Sequence, residues 1–246
     1  MRVNSTEFQN SFGKYLSMVE KEDIIVVKNG RSVAKLTNYI EPNEFLVYEE
    51  SQKYNAPRKI GYEEYKELVN SSEQRYELID GDIYLLASPS FKHQVVVNEI
   101  AGHFYNYFKQ SDCSSLTAPL DVKLTVNETK NKKEDTYNVV QPDITVICDQ
   151  EKVDENNKYL GIPALIVEVL SPSTKGKDMV TKLNLYMKGG VSEYWIVDYI
   201  NNKVIQYSFT QERDVDRISY LEKGNSIKST NFKELKVSLA DIFAEV

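Results

Sequence analysis

The segment Ala164 to Leu170 reads Ala-Leu-Ile-Val-Glu-Val-Leu, and the glutamate inside it constrains the fold more than any other residue of the chain. A run this apolar is the pattern of a strand covered on both faces. Alternation with a period of two sets Glu168 on the same face as Ile166 and Leu170. An unpaired carboxylate there would cost several kcal/mol, so a cation has to reach it. A second acid stands in a comparable place, Asp143 in Val-Val-Gln-Pro-Asp-Ile-Thr-Val-Ile. Pro142 removes a backbone donor and puts that point at a strand end, bulge or edge. If the two strands are neighbours, their like charges oppose each other, and a divalent metal taking one oxygen from each relieves both problems. The alternative is a structural ion pair with a lysine. Lys175, Lys177 and Lys182 follow the Glu168 strand, and Asp178, Lys182 and Tyr186 recur four residues apart, on one face of a helix. Lys182 is best placed to point back at the sheet, where its ammonium would orient an attacking water and offset charge developing on a phosphate.

The surrounding pattern is that of an α/β sandwich. Gly61 to Leu68 reads as a short helix, and strands at Tyr76–Asp80 and Ile83–Leu86 flank an Asp80-Gly81 hairpin turn. A helix from Phe91 to Phe108 carries Val96, Ile100, Phe104 and Phe108 on its core face. Val122, Leu124 and Val126 alternate as a half-buried strand, and Val139 to Ile147 reads as one nearly continuous apolar strand. Lys177 to Lys188 is a helix ended by Gly189-Gly190. Tyr194 to Val197 returns as a strand before a hairpin at Asn201-Asn202, and a short helix near Leu239 finishes the chain.

The first 36 residues differ in character. They hold six Lys/Arg against four Asp/Glu, net +2, so the other 210 carry −9 of the total of −7. Phe8, Phe12, Leu16 and Val19 form one stripe of a helix capped by Ser5 or Thr6. Ile24 to Val27 and Ser32 to Leu36 are strands around an Asn29-Gly30 turn. A unit this small cannot bury its own faces and is expected to dimerise or dock. Residues 37–59, with two prolines and no sustained period, read as a linker and peripheral packing, with a boundary near Pro57.

Two resemblances follow from these words. Val3-Asn4, the amphipathic helix, Ile25-Val26-Val27, Asn29-Gly30-Arg31 and Val33-Ala34-Lys35-Leu36 resemble the N-terminal domain of Phd/YefM-type antitoxins. That likeness covers about residues 1–40 and implies a small α+β homodimerising module that binds operator DNA, with Arg2, Asn4 and Lys14 as DNA contacts and a toxin as a possible partner. The second resemblance covers about residues 60–220. The words YELIDGDIYLLASPS, QPDITVICD, PALIVEVLSPST with Asp178, Lys182 and Tyr186, and GVSEYWIVD are similar to the Uma-type restriction endonuclease family, a branch of the PD-(D/E)XK nuclease superfamily. It implies a restriction-endonuclease-like fold, a central mixed sheet flanked by helices, with Mg²⁺ (Mn²⁺ as a substitute) at Asp143 and Glu168. Carried over by position, Glu77 matches an additional acidic residue of the site and a metal ligand, Lys182 the catalytic lysine, and His93 a position the family often fills with histidine. The wider superfamily has its lysine two residues after the glutamate, where this chain has Leu170. The organisation expected is 1–40 antitoxin-like, 41–58 linker, 59–246 nuclease.

The function that follows is a metal-dependent phosphodiesterase acting on DNA, as a homodimer. The alternative is an antitoxin-like DNA-binding or toxin-binding regulator whose nuclease-fold body is inactive, and hydrolysis of RNA stands third. The acidic body argues against broad nonspecific wrapping of nucleic acid, and only six of the 30 basic residues are arginine, which limits base readout. The longest apolar run, Ile83 to Ala87, is five residues against the roughly 20 that cross a bilayer. The chain is therefore read as non-membrane and cytoplasmic. Cys113 and Cys148 are read as unable to make a disulfide framework, and with only His93 and His103 beside them no zinc spacing exists.

Overall fold

The structure, a computed structural model, describes residues 1–19, 24–28, 31–36, 59–126, 137–155, 157–171 and 177–244. The chain divides into two compact units, Met1–Arg58 and Lys59–Val246.

In the first unit, β1 (Arg2–Asn4) leads into α1 (Ser5–Asn10) and α2 (Phe12–Val19), followed by β2 (Ile24–Lys28) and β3 (Arg31–Leu36). β1 pairs parallel with β2, and β2 pairs antiparallel with β3. The expected single helix is thus two, and its cap is neither Ser5 nor Thr6. Asn4 ends a strand in extended backbone and its Oδ1 accepts the Thr6 N–H at 3.0 Å, which leaves Ser5 as the first helical residue. The break at Ser11 turns the apolar stripe, so Tyr15 and Val19 are buried with Val3, Ile24 and Val26 while Phe12 and Leu16 are about half exposed. The Asn29-Gly30 turn and the 41–58 linker lie outside the described residues.

The second unit runs α3 (Tyr62–Asn70), β4 (Tyr76–Ile79), β5 (Asp82–Leu85), α4 (Phe91–Phe108), β6 (Ser114–Thr117), β7 (Val122–Thr125), β8 (Tyr137–Val140), β9 (Ile144–Ile147), β10 (Leu165–Val169), α5 (Leu183–Gly189), β11 (Glu193–Asp198), β12 (Lys203–Phe209), β13 (Val215–Glu222), β14 (Ser226–Lys228), β15 (Lys236–Ser238) and α6 (Leu239–Ile242). The central sheet has the order β13-β12-β11-β10-β9-β6; β10 and β11 are parallel and the other neighbours antiparallel. A second, antiparallel sheet has the order β5-β4-β8-β7. One face of the central sheet, with Val167, Val169 and Trp195, is covered by Val96, Ile100 and Phe104 of α4 and by α6. The other, with Ile166, Leu170, Tyr194 and Ile196, packs against Leu185 and Tyr186 of α5 and Ile79, Val122, Leu124 and Val140 of the second sheet. Central mixed sheet and flanking helices are as the resemblance implies.

Three local readings need correction. Val139–Ile147 is not one strand: β8 belongs to the second sheet and β9 to the central one, because Gln141-Pro142-Asp143 interrupts the ladder and hands the chain across. The expected helix over 177–188 begins as a π-helical turn, Lys177–Lys182, before α5, which Gly190 ends with a φ of 90°. Cys113 and Cys148 are disulfide-bonded. Spacing along the chain hides their proximity, but β6 pairs with β9 from Ser114 opposite Ile147, so the next residues outward face each other.

A buried acid secures the sheet beside the Glu168 strand. Glu193 opens β11 fully buried; its Oε1 accepts from Trp195 Nε1 and Gln206 Nε2 at 2.6 and 2.7 Å. Its Oε2 accepts from Ser229 Oγ at 2.6 Å and from the Thr230 and Asn231 N–H groups at 3.1 and 3.2 Å. Glu193→Ala removes an acceptor shared by five donors, the buried Trp195 Nε1 among them, and is expected to lower the unfolding free energy by about 3 kcal/mol. Urea denaturation followed by Trp195 fluorescence checks this; a loss below about 1 kcal/mol contradicts it.

Candidate active site

Glu168 projects from the middle of the central sheet toward the second sheet, on the face of Ile166 and Leu170, and is 4% exposed. Its cation is Lys182: the ammonium lies 2.7 Å from Glu168 Oε1, 2.8 Å from Glu77 Oε1 and 3.8 Å from Asp178 Oδ1. The lysine stands at the last position of the π-helical turn, and such turns cluster at functional positions. One turn further along, Tyr186 donates its hydroxyl to the same Glu168 Oε1 at 2.6 Å. Glu77, on β4, is fully buried, and its Oε1 also accepts the Gln141 N–H at 3.0 Å. Glu168 and Glu77 belong to different sheets, so Lys182 links the two.

Asp143 sits beside this cluster by register. Val167 pairs with Ile144 in the antiparallel β9–β10 ladder, so one step further the same register sets Asp143 opposite Glu168. Its Oδ2 accepts the Val169 N–H at 2.8 Å and lies 3.3 Å from His93 Nε2. His93, in the first turn of α4, also places Nε2 2.9 Å from the Val169 carbonyl oxygen, while its buried Nδ1 has no partner among the described residues. Since a carbonyl only accepts, Nε2 carries a proton.

The electrostatics follow from one ammonium among several carboxyls. Burial pushes Glu168 up to about 8; Lys182 opposes that shift, and the carboxylates of Asp178, Asp143 and Glu77 add to it. Burial alone would lower Lys182, but Glu168, Glu77 and Asp178 outweigh it and hold its ammonium above the ordinary range. The two shifts differ in origin: burial dominates for Glu168, with the neighbouring carboxylates adding to it, whereas for Lys182 the carboxylates prevail against burial. His93 is raised as well: burial opposes, and the hydrogen bond and charge of Asp143 prevail.

Of the residues expected at the site, Glu77, Glu168 and Lys182 form one hydrogen-bonded cluster, and Asp143 and His93 a linked pair at its side. Arg2, Asn4 and Lys14 belong to the first unit. Asn4 caps α1, Arg2 is exposed on β1, and Lys14 Nζ is 5.4 Å from the Tyr15 ring centroid. Lys175 lies outside the described residues. Sequence reasoning did not place Asp178, Tyr186 or Gln141 in the site. The spacing of Asp178, Lys182 and Tyr186 carried the signal for two of them, whereas Gln141, which gives its N–H to Glu77 and its Nε2 to Asp121 Oδ1 at 2.9 Å, left none.

The donor set suits a hard divalent cation. Asp143 Oδ1 and Glu168 Oε2 receive no hydrogen bond among the described residues. Two carboxylates on adjacent strands fit Mg²⁺, which keeps several waters and takes one or two protein carboxylates. Among the described residues no group of three or more His, Cys, Asp or Glu side chains is placed to hold a metal ion.

Comparisons with known proteins agree with the fold. The Uma2 family, described as "Putative restriction endonuclease", matches residues 62–240. An uncharacterized protein of Synechocystis is 27% identical over 157 residues, 63% of this chain and 77% of that protein. The crystal structure of "a putative nuclease belonging to DUF820" from Anabaena variabilis superposes with a TM-score of 0.56 at 22% identity, covering 70% of this chain and 92% of that one. No described helix is long and apolar enough to cross a membrane.

Because the folded Glu168 binds its proton more tightly than the unfolded chain does, the fold takes up a proton between the ordinary value near 4.5 and about 8. Stability from this group is therefore greatest below that window and is lost as pH rises through it, by a few kcal/mol. His93, also raised, adds a loss of the same sign. Unfolding free energies measured in EDTA from pH 5 to 8.5 should fall in the wild type and fall less in Glu168→Gln; parallel curves contradict the assignment.

Proposed function

The chain belongs to the Uma2 family, and from that membership we propose that its second unit is a metal-dependent phosphodiesterase that cuts DNA. The observation that carries this reading is the pair Asp143 and Glu168 on adjacent strands, each with one oxygen that receives no hydrogen bond among the described residues, with Lys182 buried against Glu168. These two carboxylates would hold Mg²⁺, or Mn²⁺ in its place, with Glu77 contributing directly or through a water. When bound, the ion supplies Lewis-acid polarisation of the phosphate and a water more acidic than bulk water.

The remaining work falls to the chain's own residues. Lys182 commits two N–H groups to Glu168 and Glu77. Its third, with Asp178 at 3.8 Å, beyond hydrogen-bond length, is the one that orients the attacking water and meets charge on the phosphate. His93 holds Asp143 against the end of β10 through the shared Nε2 contacts. Attack in line on phosphorus then breaks the phosphodiester bond.

A second role rests with the first unit, which the family match leaves uncovered. Its helix, parallel strand and hairpin support the antitoxin-like reading: a homodimerising module that binds DNA through Arg2, Asn4 and Lys14, or a toxin. Combined with the body, it would deliver the nuclease to a site; the regulator with an inactive body is the rival.

Asp143→Ala is expected to abolish Mg²⁺-dependent nicking of supercoiled plasmid with circular dichroism unchanged, and calorimetry should show Mg²⁺ or Mn²⁺ uptake by the wild type but not by Glu168→Gln. Unchanged nicking by Asp143→Ala rejects the site. For the first unit, Arg2→Ala with Lys14→Ala in the full chain should weaken a gel shift and reduce its logarithmic salt slope by about 2. A wild-type shift that these changes leave alone removes the two side chains from the interface.

A further inference from the structure

We propose that Tyr186 is the positioning residue that fixes which oxygen of Glu168 faces the metal; the proposal rests on the metal-dependent reading above. Glu168 has two chemically equivalent oxygens on a side chain free to turn. Lys182 and Tyr186 both aim at Oε1, at 2.7 and 2.6 Å, from consecutive turns of one helix. With two short donors on one oxygen, the carboxylate is locked in one rotation, and Oε2 is left for the ion.

The chemical type of the second donor matters. Among the described residues Glu77, Glu168 and Asp178 share the Lys182 ammonium, and the charge of Asp143 also acts on Glu168. A second lysine or an arginine at position 186 could hold Glu168 equally well but would cancel the negative charge that draws a divalent cation. A neutral phenol orients the carboxylate and leaves that charge in place. Tyr186 is also rigidly held, fully buried with its ring edge-to-face on Tyr194 at 4.9 Å, so its hydroxyl is delivered at a fixed point. Tyr194 is the natural control. It is equally buried and on the same sheet face, but its hydroxyl donates to the Asp178 main-chain carbonyl at 3.1 Å and not to a carboxylate.

The test is calorimetric titration of the full chain with Mn²⁺, together with urea denaturation, for wild type, Glu168→Gln, Tyr186→Phe and Tyr194→Phe. Tyr186→Phe is expected to raise the Mn²⁺ dissociation constant about ten-fold or more, the usual loss when a group that orients a metal ligand is removed. Tyr194→Phe should lower stability comparably and leave the Mn²⁺ constant within two-fold of wild type. A Tyr186→Phe constant within two-fold of wild type overturns the proposal, and so does an equal weakening by Tyr194→Phe, which would assign the effect to packing. If the wild type itself takes up no Mn²⁺, the metal-dependent reading falls and this proposal with it. If the wild type binds and Glu168→Gln does not, that reading stands and the Tyr186→Phe value decides the proposal alone.

Discussion

One buried ammonium joins the two halves of the second unit. Lys182 bonds to Glu168 on the central sheet and to Glu77 on the smaller antiparallel sheet, in an interior otherwise filled by Ile79, Val122, Leu124, Ile166 and Ile196. Neither carboxylate could be buried alone, and the ammonium could not be buried without them. The layer between the sheets therefore exists in its present form because the Lys182 ammonium partners both glutamates there. A buried ion pair of this kind contributes little net stability compared with apolar residues of similar volume. Its value lies in position, since it holds carboxylates in dry surroundings at fixed separations.

The same interior bears on the proposed binding of a cation. Burial first, and then the acids that Lys182 does not fully offset, make Glu168 keep its proton to an unusually high pH. A divalent ion between Asp143 and Glu168 would take over that proton's electrostatic role. Asp143 reaches its place through the Gln141-Pro142 interruption, which passes the chain from the second sheet to the central one and leaves the acid at the mouth of the β9–β10 ladder. There it is partly open to solvent, unlike Glu168 and Glu77.

Much of this was legible in the residues themselves. The alternation in Leu-Ile-Val-Glu-Val is strict, so the face of Glu168 could be read directly, and its need for a cation followed from the cost of burying charge. The spacing of Lys182 from Tyr186 likewise marked a shared helix face. Other features were not legible. Pro142 marked a strand end, bulge or edge, but hydropathy does not record which sheet a strand joins, so the passage of the chain from one sheet to the other was hidden. The Cys113–Cys148 bond depends on the β6–β9 register, a relation between residues 35 apart. In the first unit the apolar stripe was visible, but the interruption at Ser11 rotates its second half, leaving Phe12 and Leu16 outside the core.

By itself the amino-acid sequence determined the element types, the inward face of Glu168 and the demand for a positive partner, since each of these depends on local periodicity or on the cost of desolvating one group. Only the tertiary structure decided that Glu77, from a different sheet, shares that partner, that Asp143 stands opposite Glu168, and that a tyrosine hydroxyl meets the same oxygen as the lysine. Those outcomes depend on strand order, register and the phase of a π-helical turn, which arise from how distant segments pack and leave no mark in the spacing of any one segment.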